Sequence, residues 1–113
     1  MIDFKNYDIP ENTASSVSRL TLSNTFPHAS MLVGGREEQA LEIAYDISSA
    51  LLCSGENPPC GVCKNCVKSE RKVHPDVTVI SPTNGRKSLT VDEARAMIAD
   101  SFVLPNEADR KIY

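Results

Sequence analysis

Cys53, Cys60, Cys63 and Cys66 fall within fourteen residues in the order Cys-x6-Cys-x2-Cys-x2-Cys, and no other feature restricts the local chain path as strongly. Each C-x2-C step lets two sulfurs converge on one ion at about 2.3 Å, and four sulfurs complete a zinc tetrahedron. Pro58, Pro59 and Gly61 supply turns for such a knuckle, while Lys64, Lys68, Arg71 and Lys72 can offset the charge of four thiolates. Four protein ligands leave no open position for water, so the centre reads as structural zinc without catalysis. Two other readings stand beside this one. Cys53, at the end of an apolar helix face, can be a buried core thiol, with His74 or nothing completing the site. A C-x2-C pair can also serve redox exchange, which needs only two thiols.

A disulfide framework is the weaker account of these cysteines. The N-terminus has no basic segment followed by an apolar core, and no apolar run approaches the roughly 18 residues of a membrane span. The expectation is a cytoplasmic protein with reduced thiols and no membrane contact. Its 113 residues fit one small domain or part of a larger one. Twelve Lys and Arg against fifteen Asp and Glu give a net charge of −3, with the signs interspersed. This excludes a broad electrostatic footprint for nucleic acid, so any DNA contact has to be local.

Hydrophobic spacing organises the rest. Residues 11–24 suit a short helix with Val17 and Leu20 on one side, stopped by Phe26-Pro27. Ser30-Met31-Leu32-Val33 reads as a buried parallel strand ending at Gly34-Gly35. From Glu37 to about Leu52, apolar residues recur at three- and four-residue steps, predicting a long amphipathic helix. Val77-Thr78-Val79-Ile80 reads as a second strand. Thr90-Val91-Asp92-Glu93 has capping-box spacing, opening a helix to about Phe102 with an apolar stripe of Val91, Ala94, Met97, Ile98 and Phe102. Arg110 to Tyr113 reads as a third strand just beginning. This alternation predicts an α/β fold with a parallel sheet and flanking helices, truncated after the start of the third strand.

In such a fold a phosphate site is built at the first strand-to-helix turn. A working loop needs the spacing G-x-x-x-x-G-K-[ST]. Counted from Gly34, the second glycine falls on Gln39, the lysine on Ala40 and the hydroxyl residue on Leu41, with Glu37 and Glu38 adding negative charge. No nucleotide is expected there. Taken alone, Gly34-Gly35 can equally be a simple tight turn.

The segment Phe26-Pro27-His28-Ala29-Ser30-Met31-Leu32-Val33-Gly34-Gly35 resembles the opening of the ATPase domain in bacterial clamp-loader subunits. Cys53 with Cys60-Gly61-Val62-Cys63-Lys64-Asn65-Cys66 is similar to that family's zinc insertion. His74-Pro75-Asp76-Val77 and Thr90-Val91-Asp92-Glu93-Ala94-Arg95 resemble its next strand entry and helix start. The resemblance covers residues from about 20 to 113. It implies a P-loop NTPase-like fold of the AAA+ class, as one N-terminal domain over 1–113 with a zinc module inserted at 53–72. Within the family, the altered loop resembles the non-hydrolysing delta prime branch of DNA polymerase III rather than the gamma and tau subunits, which hydrolyse ATP.

The resemblance further implies a non-catalytic role in loading the sliding clamp on primer-template DNA, beside gamma or tau and delta-type subunits. It makes Arg86, Lys87, Ser88 and Thr90, a basic turn leading into a helix N-terminus, candidates for DNA-phosphate contacts. A solvated basic loop is the plainer reading of the same residues. The rival functions are an ATP-hydrolysing subunit and a stand-alone zinc-binding interaction module. A chain ending as a strand begins also predicts self-association through an edge strand or swapped element.

Overall fold

A computed structural model describes residues 1–113. It contains four helices, α1 (Glu11–Leu22), α2 (Glu37–Leu52), α3 (Lys64–Glu70) and α4 (Val91–Ser101). There is no β-strand; a single parallel bridge joins Val77 and Ile112. The expected P-loop NTPase-like parallel sheet is therefore corrected to a helical arrangement. Ser30–Val33 has the composition of a buried strand, yet Met31 and Val33 are each 83% exposed. Apolar and β-branched residues favour a strand only where a neighbouring chain receives their N–H groups and covers their side chains. No such neighbour lies beside 30–33. The edge strand expected to drive self-association falls with the sheet, although the exposed apolar surface expected with it is present.

The chain divides into two units, Met1–His74 and Pro75–Tyr113. In the first, α2 packs on α1 and α3. The core consists of Ile2, Ile43, Ile47 and Ala50, with Phe4, Tyr7, Ile9, Val17, Phe26 and Leu51 partly buried against it. Ile43, Ile47 and Ala50 recur at three- and four-residue steps, so the periodicity of α2 correctly marks its inner face. Each isoleucine contributes roughly 1.5–3 kcal/mol by leaving water. The N-terminal residues, which carry no periodic signal, supply Ile2 and also Tyr7, whose hydroxyl donates to Asp46 Oδ2. Burial raises both the Tyr7 phenol and the Asp46 carboxyl above their ordinary values.

In the second unit α4 begins as the sequence predicts. Thr90 Oγ1 accepts from Glu93 N–H at 3.2 Å, and Glu93 Oε2 accepts from Thr90 N–H at 2.9 Å. The predicted stripe does not become a buried face: Val91 is 65% exposed, Ile98 52% and Phe102 85%. With no sheet to receive them, these three remain on the surface, while Ala94 and Met97 are half-buried. Order comes instead from Asp76, which is 2% exposed. Its carboxylate accepts from the N–H groups of Asn106 at 2.6 Å and of Glu107 and Ala108 at 2.8 Å. Ile112 N–H then reaches Asp76 O, and Thr78 N–H reaches Ile112 O. No helix is long and apolar enough to cross a membrane.

Candidate metal centre

Three separate pieces of chain deliver the four sulfurs. Cys53 follows the last residue of α2, Cys60 and Cys63 lie on the loop beyond it, and Cys66 lies in α3. Their Sγ atoms all fall within 4.8 Å of one another. With zinc–sulfur bonds of about 2.3 Å, a regular tetrahedron has sulfur–sulfur edges of about 3.8 Å. Cys60 and Cys66 stand 4.0 Å apart, so closing on an ion needs only tenths of an ångström on that edge. Cys53 therefore belongs to the cluster and is not a separate core thiol.

Backbone donors are aimed at these sulfurs. Cys53 Sγ accepts from Gly55 N–H and Cys60 N–H, both at 3.3 Å. Cys60 Sγ accepts from Cys63 N–H at 3.3 Å, and Cys63 Sγ from Cys66 N–H at 3.4 Å. Sulfur accepts well only as thiolate, so the pattern favours the ionised form that a metal requires. The thiols respond unequally. Burial pushes Cys63 up, but the N–H groups of Ser54 and Cys66 and the Ser54 hydroxyl outweigh it and bring the thiol down to about 5. N–H groups of Val62 and Cys63 lower Cys60 as well. Burial pushes Cys66 up to about 12. A metal must displace that proton, whereas the Cys63 thiol gives up its own far more readily. Four converging sulfurs with N–H support fit a soft or borderline cation such as zinc.

The helix α3, whose N-cap is Cys63 itself, is not signalled by periodicity. Gly55 also escapes a reading of turn residues, because its importance is one of space. A Cβ there would meet Cys60 Cβ and Sγ at 3.0 Å, and Cys53 Sγ at 3.7 Å. Gly55→Ala should therefore displace one ligand and weaken metal retention roughly tenfold, on the scale of other changes that disturb ligand orientation. Competition with a chelator measures it; unchanged retention would show that the loop has room. Pro58–Pro59, in the same loop, is a cis peptide.

His74 is 4% exposed and directs Nε2 to Asn65 Oδ1 at 3.0 Å. It does not join the sulfur cluster. At the altered phosphate turn, Gly34 and Gly35 both adopt positive φ, +93° and +70°. This is a conformation natural to glycine and to a tight turn. Gln39, where a phosphate loop needs its second glycine, accepts from Asp8 N–H at 3.3 Å. Ala40 is half-buried and Leu41 exposed. A cavity of about 470 Å³ opens beside Gly34, Gly35, Gln39 and Ala40, with Phe4, Ile9 and Val17 also on its wall.

Arg86, Lys87 and Ser88 are exposed on their turn. Thr90 is committed to the helix cap, and the Glu93 carboxylate also accepts from the Thr83 hydroxyl at 2.6 Å. An acidic group thus occupies the N-terminal region of α4, where a phosphate would have to approach.

No curated protein and no solved structure matches the chain. The family model described as DNA polymerase III, delta subunit, matches residues 9–113. With a match over nearly its whole length, the chain belongs to this family of clamp-loader subunits and so to the machinery of DNA replication.

Proposed function

We infer that the chain acts as a delta prime-like, non-catalytic clamp-loader subunit whose cysteine centre holds structural zinc. The observation that carries the non-catalytic reading is the phosphate turn. Gln39, Ala40 and Leu41 stand where the second glycine, the lysine and the magnesium-binding hydroxyl are needed. Gln39 is moreover hydrogen-bonded to Asp8 N–H. Without those groups neither the charge of a triphosphate nor its magnesium is balanced, while Glu37 and Glu38 add negative charge that repels phosphate. The same absence opposes the rival ATP-hydrolysing subunit. The family match outside residues 53–72 opposes a stand-alone zinc module.

Such a protein works through its surfaces, in the cytoplasm, beside gamma or tau and delta-type subunits and, through them, the sliding clamp and primed DNA. Calorimetry should detect no ATP binding in the micromolar range, and capture of the full-length protein from its own cells should bring down an ATP-hydrolysing clamp-loader subunit. Micromolar ATP affinity, or capture without such a subunit, would overturn the reading. For DNA, Arg86, Lys87 and Ser88 are the groups left to meet phosphates, since Thr90 caps α4. Replacing both Arg86 and Lys87 with Ala should lower the salt dependence of DNA binding by the assembled complex by about two phosphate contacts. An unchanged salt slope would assign the turn to solvent.

A further inference from the structure

Helix α2 ends without the usual means of closing its last carbonyls. Its C-cap, Cys53, is extended at φ −60° and ψ 132°, and no basic side chain lies in its last turn. The last four carbonyls of a helix have no partner within it, and Leu52 is only 3% exposed. Asn65, from α3, supplies the missing donor: its Nδ2 reaches Leu52 O at 2.8 Å. This orientation turns Oδ1 toward His74 Nε2, 3.0 Å away. An amide oxygen only accepts, so Nε2 carries the proton and donates. The reversed amide would set two oxygens against each other at Leu52. Asn65 and His74 are 6% and 4% exposed, so water offers little substitute for either bond.

The placement of this relay matters for the metal. Leu52 immediately precedes Cys53, and Asn65 immediately precedes Cys66. The Asn65 amide therefore ties together the chain positions that carry the first and last sulfur, and His74 fixes the amide. We propose that Asn65 and His74 are positioning residues of the metal centre, holding Cys53 and Cys66 at ligand spacing and setting how fast a bound ion leaves. This rests on the reading of the four cysteines as a metal site. Neither residue contributes a ligand, and Asn65 acts through the backbone of its neighbours.

The test uses the full chain loaded with cobalt(II), following loss of the thiolate–cobalt absorption after addition of excess chelator. Asn65→Ala and His74→Ala should each release metal about tenfold faster or more, the size found for groups that orient ligands. The double variant should be no faster than Asn65→Ala, because the two act in series. His74→Gln, whose side-chain amide can donate to Oδ1, should restore most of the retention. Ile43→Val, a core change away from the relay, should release metal at the original rate. Original rates in both Ala variants, multiplied effects in the double variant, or a His74→Gln protein as fast as His74→Ala would overturn the proposal. An unaltered chain that takes up no cobalt would overturn the metal reading along with it, so the two failures are distinct.

Discussion

Replacing Cys60 or Cys63 with Ser should abolish stoichiometric metal binding and unfold the end of α2 together with α3. The first unit has a small apolar core, with Ile2, Ile43, Ile47 and Ala50 as its buried members. Residues 53–63 contain no regular element; the sulfur cluster with its N–H donors, and the Met1 ammonium on Asn57 O, hold their path. Structural zinc in small domains contributes an apparent ~10–16 kcal/mol at neutral pH, far more than such a loop gathers by other means. Ser presents a hydroxyl that does not ionise near neutrality and is a harder ligand than thiolate. Cys60 and Cys63 are the cleaner choices, because Cys66 is 1% exposed and its replacement would also disturb packing. Metal analysis should give about one zinc per unaltered chain and none in either variant, with helical circular dichroism lost on chelation. Protein purified without chelator that contains no zinc, or a chelated chain that melts as before, would refute the structural role.

The second large effect is expected at Asp76, which orders the other unit. Burial alone would raise its carboxyl, but the N–H groups of Ala108, Asn106 and Glu107, together with the Asn106 side chain, hold it down at about 2. The folded value lies below the ordinary 3.8, so the stabilisation is complete above that pH and disappears as pH falls toward 2. At about 1.4 kcal/mol per pH unit, the fall from 3.8 to about 2 corresponds to roughly 2 kcal/mol of stability. A folded segment of this size holds about 2–6 kcal/mol in total. Asp76→Ala should therefore remove much of the order in residues 75–113, leaving three loop N–H groups without their acceptor. Asp76→Asn keeps the shape but turns an NH2 toward backbone donors, and should recover little. Hydrogen exchange at Asn106, Glu107, Ala108 and Ile112 reads this directly. Unchanged protection in Asp76→Ala would mean the loop is held by something else.

What the sequence determined by itself lies in local rules. The cysteine spacing marked a centre that the structure assembles, the three- and four-residue period marked the inner face of α2, and Thr90 with Glu93 marked the start of α4. Each depends on residues within one element or one loop, where covalent geometry limits the outcome. Three features depended on which distant segments meet. The strand-like run 30–33 found no partner strand and the run 77–80 found only the single bridge from Val77 to Ile112, because a sheet exists only where strands pair. The α4 stripe stayed largely on the surface, with Val91, Ile98 and Phe102 exposed and only Ala94 and Met97 half-buried, because no sheet formed to receive it. His74 and Asp76, two residues apart in sequence, reach different partners: His74 Nε2 meets Asn65 Oδ1 beside the cysteine cluster, and the Asp76 carboxylate gathers the N–H groups of residues 106–108. A side chain that acts by satisfying buried backbone groups far along the chain carries no sign of its partner in its own neighbourhood, so only the tertiary structure could decide it.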